Sequence, residues 1–287
     1  MVQPEPPTPS LLRLIESRSP LCLGIDPASA SLTGAGLPDS VKGVIRFSEA
    51  LLDAALDSVA AVKPQMAYFE RFGPAGLEAL ARVCRRAREE GVPVIVDAKR
   101  GDIGSTMEGY ADAYFGPDAP IPADAITLTA YLGLGALAPL FDRMAEAGSA
   151  AFVVVCSSNP EGVPLQTAHL ADGRLVAEWL ADEIAEQNER LGAPLVGGVI
   201  GATCGAWARS PLERLRGAPV LAPGLGAQGG TFEQAAQLFA GAEDHVLLPM
   251  SRGLLADGLD PSALRERVVE HAELARRFRG RGARVPA

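Results

Sequence analysis

A single-domain (β/α)8 TIM barrel is the fold class predicted for this 287-residue chain. Three observations carry the expectation. Eight short apolar runs recur, helical patterns separate them, and polar residues gather where the runs end. Strands alternating with helices read as βα units on a parallel sheet. A doubly wound open sheet shares that alternation. The barrel is preferred because it brings all the strand ends to one face.

The strand runs fall at 21–26, 60–64, 93–99, 125–129, 151–157, 195–202, 219–223 and 245–250. The first is Leu21-Cys22-Leu23-Gly24-Ile25, closed by Asp26, and the second is Ala60-Ala61-Val62, closed by Lys63. The third, Val94-Ile95-Val96, passes directly into Asp97-Ala98-Lys99. Thr127 marks the fourth, Ser157 and Ser158 follow the fifth, Thr203 follows the sixth, and Arg252 follows the eighth. Helical stretches intervene at 38–58, 73–90, 104–115, 133–147, 173–191, 206–216, 230–241 and 261–279. In the second of these, Leu77, Leu80, Ala81 and Cys84 repeat at helical spacing beside Arg82, Arg85, Arg86 and Arg88, the pattern of a helix with one buried face. The longest connection, 157–172, carries Asn159-Pro160-Glu161-Gly162 as turn chemistry. Loops of that length are usually functional or mobile. The barrel is assigned to residues 11–280, with a flexible Pro-rich tail at 1–10 and a C-terminal tail at 281–287.

Composition bounds the function. Apolar residues make up 48% of the chain, enough for a large core, and the net charge of −9 argues against general nucleic-acid affinity. An anionic ligand therefore needs a local positive site. The four cysteines contain no Cys-x-x-Cys pair and the three histidines no ligand-spaced cluster, so inert thiols in a reducing cytoplasm are expected and a metal site is not. The N-terminus lacks the basic and apolar segments of a signal peptide, and no apolar run is long enough to span a membrane.

Only three of the 26 Lys and Arg residues are lysines. Two of those, Lys63 and Lys99, end apolar strands. An ammonium can give up a proton where a guanidinium cannot. Side chains alternate along a strand, so Asp97 and Lys99 share a side, and Asp102 follows in the turn. A buried ion pair stabilises less than apolar packing does, so such a group at a barrel's active face reads as functional. With Lys63 one strand away, an alternating Lys-Asp-Lys-Asp cluster is expected. A second constellation is Pro223-Gly224-Leu225-Gly226-Ala227-Gln228-Gly229-Gly230, whose backbone can approach a phosphate at a helix entry. Arg252 follows strand eight in the position of the usual phosphate cradle of this fold. A third is Cys156-Ser157-Ser158-Asn159-Pro160, where either serine hydroxyl can bond a polar ring.

These motifs together resemble the orotidine 5′-phosphate decarboxylase family, in its longer bacterial branch. The segment Asp97-Ala98-Lys99-Arg100-Gly101-Asp102-Ile103-Gly104-Ser105-Thr106 is similar to that family's D-x-K-x-x-D-I-x-x-T signature. The likeness continues through Leu23-Gly24-Ile25-Asp26-Pro27, Val62-Lys63-Pro64-Gln65, Ser157-Ser158-Asn159-Pro160, Gly198-Val199-Ile200-Gly201-Ala202-Thr203, the glycine-rich loop and Ser251-Arg252-Gly253. It implies a cofactor-free, metal-free conversion of orotidine 5′-phosphate to UMP and carbon dioxide. By position, Lys99 would protonate C6, Asp97 would face the substrate carboxylate, and Lys63 would hold Asp97 and the ribose. Asp26 would bind ribose, and Ser157 or Ser158 the ring. Arg252 would grip the phosphate with the loop containing Gly226, Gln228 and Gly229. Asp102, Ile103 and Thr106 would complete a neighbouring subunit's site, implying a homodimer. Thr129-Ala130 stands where this branch often has Asn-Pro before Tyr131-Leu132-Gly133, so no polar contact from position 129 is carried over. Magnesium-dependent sugar-phosphate relatives place a glutamate on strand two, where this chain has Lys63. A non-catalytic nucleotide-binding barrel would lack a charged member of the cluster, and none is missing.

Overall fold

Strand pairing closes the chain on itself. A computed structural model describes residues 15–55, 57–255 and 258–282; the proposed tail at 1–10 lies outside them. The strands are β1 (Leu21–Ile25), β2 (Ala61–Pro64), β3 (Ile95–Arg100), β4 (Ala125–Leu128), β5 (Ala150–Cys156), β6 (Val196–Ile200), β7 (Val220–Leu221) and β8 (Val246–Met250). They run in the order β2-β1-β8-β7-β6-β5-β4-β3, and every pairing is parallel. The seam between β2 and β3 is spanned by the parallel bridges Val62–Val94 and Gln65–Asp97. This is the (β/α)8 barrel that the alternating pattern predicts.

Eight outer helices follow the strands: α1 (Val41–Ala55), α2 (Gly73–Glu89), α3 (Gly104–Tyr114), α4 (Ala138–Glu146), α5 (Val176–Leu191), α6 (Arg209–Arg214), α7 (Phe232–Leu238) and α8 (Pro261–Gly282). The last reaches two residues into the segment read as a tail, and residues 283–287 lie outside the description. Three short helices were not expected: Ser29–Gly34, Ala67–Glu70 and Val163–Gln166. The third, with a 3-10 turn at Pro160–Gly162, gives structure to the long 157–172 connection.

Two packed layers hold the barrel. The outer one joins strand faces to helices through residues such as Phe47, Leu51, Phe69, Phe141 and Val268. The inner one is a small cluster containing Cys22, Ala61, Ile95, Ala125, Phe152, Val199, Leu221 and Leu247, with Ile15 against it. Phe152 fills much of that interior beside a glycine in the middle of a strand. A Cβ on Gly197 would lie 2.3 Å from the Pro219 carbonyl oxygen and 2.9 Å from the Phe152 ring, so close backbone approach and the ring together leave no room for a side chain there. The adjacent Gly198 is open for a different reason, since a Cβ there would meet Leu215 at 2.7 Å on the helix side. Cys22, Cys84 and Cys156 are buried free thiols, and burial pushes both Cys22 and Cys84 up to about 12. Such thiols are poor nucleophiles.

Candidate active site

The polar strand ends converge on a cavity of about 290 Å³ at the C-terminal mouth of the barrel. At its base, the Asp97 carboxylate accepts four hydrogen bonds. Lys63 Nζ and Gln65 Nε2 donate to Oδ2 at 2.8 and 3.1 Å, while Lys99 Nζ and Thr127 Oγ1 donate to Oδ1 at 2.5 and 2.8 Å. Lys63 and Asp97 are each only 7% exposed, whereas the Lys99 side chain is about half exposed and opens into the cavity. Buried charge survives here because its lone pairs are satisfied and its counter-ions are in contact.

Alternation alone does not bring Lys99 to Asp97. The pairing of β3 with β4 shifts register between Val96 and Arg100, and Lys99 itself has φ +46°. The residue thus lies on a left-handed kink. Its N–H is held by Thr127 Oγ1 at 3.0 Å, the same hydroxyl that bonds Asp97. Next along the chain, Gly101 passes so close to β4 that a Cβ would lie 2.2 Å from the Thr129 carbonyl oxygen. Arg100 is tied to Glu70 on the Ala67–Glu70 helix. The kink is therefore anchored on both flanks.

Burial pushes Asp97 up, but Lys63 and Lys99 outweigh it and hold the carboxyl well below the usual carboxylate range. For Lys63, burial works downward and is outweighed by Asp97 and Asp26, so the ammonium is raised above its ordinary value. The signs fix a pH window. A depressed Asp97 contributes stability that is present above the unfolded carboxyl pKa of about 4 and lost as pH falls through its lower folded value. A raised Lys63 contributes stability that is present below about 10.4 and lost as pH rises through its higher folded value. Between these limits the pair stays ionised. The profile of kcat/KM from pH 5 to 9 should accordingly contain no inflection that Asp97→Glu or Lys63→Arg displaces; an inflection that moves with either substitution would refute the assignment.

The rest of the lining surrounds this cluster. Asp26, Ser157, Ser158, Gln228 and Arg252 all reach the cavity, with Val154, Val199, Leu221, Pro223 and Met250 as apolar walls. Asp26 Oδ1 is buried with no donor among the described residues, which leaves an acceptor for a hydroxyl-bearing ligand. Ser158 Oγ donates to Gln228 Oε1 at 3.1 Å, joining the loops after β5 and β7. Gly226 and Gly229, expected at the phosphate, do not line the cavity. Their loop is bonded to itself: Gly226 N–H donates to Gly230 O, Gly229 N–H to Gly226 O and Gly230 N–H to Gly224 O. Positive φ at Gly224, Gly226 and Gly229 makes that fold possible. Among the described residues, the N–H groups of Ala227 and Gln228 meet no protein acceptor, and both residues face the cavity. Thr231 and Gln234 then form a reciprocal cap that starts α7.

Asp102, Ile103 and Thr106 lie outside the cavity of their own chain. Asp102 Oδ1 accepts from the Ile103 N–H at 2.8 Å, and the Asp102 N–H donates to Met107 Sδ at 3.1 Å. Ile103 is 60% exposed, and Tyr131 and Leu132 are 81% and 58% exposed. Sequence reasoning passed over Gln65 and over Gln166, whose Oε1 accepts from the Ser157 N–H at 2.9 Å and whose Nε2 donates to Ser157 Oγ at 2.8 Å. Gln65 lies two residues beyond Lys63, so strand alternation puts it on the same side.

Residues 19–266 match the family model described as orotidine 5′-phosphate decarboxylase / HUMPS family. The chain belongs to this family. An orotidine 5′-phosphate decarboxylase of Myxococcus xanthus is 49% identical over 282 residues, covering 97% of this chain and 98% of that protein. One from Streptomyces coelicolor is 44% identical, covering 91% and 94%. Among solved structures, a candidate orotidine 5′-phosphate decarboxylase of Streptomyces avermitilis superposes with a TM-score of 0.90 at 41% identity, over 96% of each chain. Leishmania donovani OMP decarboxylase gives 0.77 at 30% identity, covering 94% of this chain and 98% of that one. No helix among the described residues is long and apolar enough to cross a membrane.

Proposed function

We propose that this chain converts orotidine 5′-phosphate to UMP and carbon dioxide, the last step of UMP biosynthesis, using no metal or organic cofactor. The observation that carries the reading is Asp97, kept ionised between two ammonium groups at the base of the cavity. A substrate carboxylate placed beside that anion meets like charge. At about 4 Å and an effective dielectric near 20 the repulsion is about 4 kcal/mol. Released as carbon dioxide departs, it corresponds to about three decades of rate.

As the C6–carboxylate bond breaks, its electron pair remains on C6 and Lys99 Nζ delivers a proton there. The ammonium also stabilises the carbanion while it forms. Lys63 anchors Asp97 from the other side, and Asp26 Oδ1 accepts a hydrogen bond from a ribose hydroxyl. Arg252 holds the phosphate with the N–H groups of Ala227 and Gln228. Binding energy from this remote end positions the ring over the charged cluster. A divalent cation beside Asp97, as in the magnesium-using relatives, would have to displace the Lys63 ammonium 2.8 Å away. The test is the absorbance of orotidine 5′-phosphate with purified protein, with and without EDTA. Equal turnover in both is expected; protein that binds the substrate without decarboxylating it overturns the proposal.

Asp102, Ile103 and Thr106 are assigned to the cavity of a second copy, giving a cytoplasmic homodimer with shared sites and no nucleic-acid partner. Exposed Ile103, Tyr131 and Leu132 suit an apolar contact. Mixing inactive Lys99→Ala and Asp102→Ala proteins in equal amounts should recover about a quarter of wild-type activity, because half of the dimers would then carry one intact site. Absence of any recovery after subunit exchange rules out sharing.

A further inference from the structure

Each oxygen of the Asp97 carboxylate takes one ammonium and one neutral donor: Oδ2 takes Lys63 and Gln65, and Oδ1 takes Lys99 and Thr127. The two ammonium groups are not held alike. Lys63 is buried, whereas the Lys99 side chain is about half exposed and opens into the cavity. Thr127 is therefore the buried donor on Oδ1. Chemistry fixes which way its hydroxyl points. An ionised carboxylate can only accept, and a backbone N–H can only donate. The Thr127 proton is thus committed to Asp97 Oδ1 at 2.8 Å, and a lone pair of the same oxygen takes the Lys99 N–H at 3.0 Å. Little freedom remains to do otherwise. Thr127 is 1% exposed and lies in β4 in register with Phe152 of β5, and a β-branched side chain is stiff about χ1.

We infer, on the decarboxylase reading of the cavity, that Thr127 is a positioning residue whose one hydroxyl fixes the Asp97 carboxylate and the Lys99 backbone relative to each other. The link matters most during proton transfer. The Lys99 Nζ proton goes to C6, where it bonds the electron pair left by carbon dioxide, and Lys99 ends as a neutral amine. The Thr127 proton stays on its own oxygen throughout. As Lys99 turns from Asp97 to the ring, Oδ1 loses one donor and keeps Thr127, so the anion stays behind instead of following the ammonium. The tethered Lys99 N–H meanwhile holds the root of the moving side chain, on a residue with φ +46°. A valine of the same shape would leave that N–H and a carboxylate lone pair without partners.

Thr127→Val and Thr127→Ser test the link together. Calorimetry with UMP counts competent sites and gives the affinity, and the absorbance of orotidine 5′-phosphate then gives kcat per competent site. In Thr127→Val that kcat should fall by about a hundredfold, the cost of a misplacement of about 1 Å. UMP has no carboxylate to meet Asp97, so its affinity should stay within about threefold of wild type. Thr127→Ser keeps both hydrogen bonds and loses only the stiffness of the branch, so its kcat per site should stay within about threefold of wild type. A threonine that served packing alone would behave differently. The valine would then lower the melting temperature or the number of competent sites without changing kcat per site, and the serine, short of a buried methyl, would do no better. If the valine variant fails to fold, Thr127→Ala is set against Thr127→Ser, since these differ only by the hydroxyl oxygen. About tenfold lower kcat per site is expected in the alanine variant, where a water can partly bridge the two groups. A kcat per site within about twofold of wild type in the valine variant, or of the serine variant in the alanine one, overturns the inference. So does a serine variant as slow as the valine. Wild-type protein that binds UMP but never turns over orotidine 5′-phosphate instead overturns the reading beneath it.

Discussion

Lys99→Ala is expected to lower kcat by about four orders of magnitude, the upper range for loss of a general acid, with further loss of carbanion stabilisation. The fold should tolerate the change. Asp97 would keep Lys63, Gln65 and Thr127 as partners, and the half-exposed Lys99 side chain contributes little packing. UMP has no carboxylate to meet Asp97, so its affinity should change by less than about tenfold. Absorbance assays on substrate and calorimetry with UMP separate the two effects. Retention of more than a tenth of wild-type kcat would sink the assignment of Lys99 as proton donor.

Asp97→Asn is the second large effect, and it has two readouts. Loss of the carboxylate removes the repulsion proposed to drive departure of carbon dioxide, so kcat should fall by about three decades. The substitution also strips a buried ammonium of its nearest anion. Breaking a buried pair costs about 3–5 kcal/mol, and the lower end is expected because Asp26 also attracts Lys63. With that counter-ion gone, desolvation should depress Lys63 below its ordinary value. The unfolded chain then binds the proton more strongly than the folded one, so stability of this variant should rise with pH through the depressed pKa. Denaturant unfolding from pH 6 to 10 checks the sign. A variant whose stability falls with pH in that range contradicts the account of Lys63 as a buried cation held by Asp97.

Much of this was legible from residue order. Runs such as Val94-Ile95-Val96 and Phe152-Val153 are β-branched or aromatic and buried on both faces, so a parallel strand is the structure they fit. Asp97, Lys99 and Lys63 stood out because charge at the end of an apolar run is expensive unless used. The Ala67–Glu70 and Val163–Gln166 helices did not stand out, since four residues contain too little of the helical period to read. Gln166 is invisible for a related reason. A neutral amide carries no charge signal, and the turn that brings it back to Ser157 has no periodicity. The glycine-rich loop showed its glycines but not which amides were spent internally, because that depends on closure of the Gly224–Gly230 backbone. Placement of Asp102 outside its own cavity follows from the turn after the Lys99 kink.

That kink sets the interests of the fold against those of the chemistry. A non-glycine residue in the left-handed region carries about 1–3 kcal/mol of strain, comparable with a useful fraction of a domain's whole stability margin. Glycine at position 99 would sit more comfortably on the same backbone. A lineage selected only for resistance to heat would drift toward that glycine and lose the ammonium, so thermal stability and turnover pull this one codon in opposite directions.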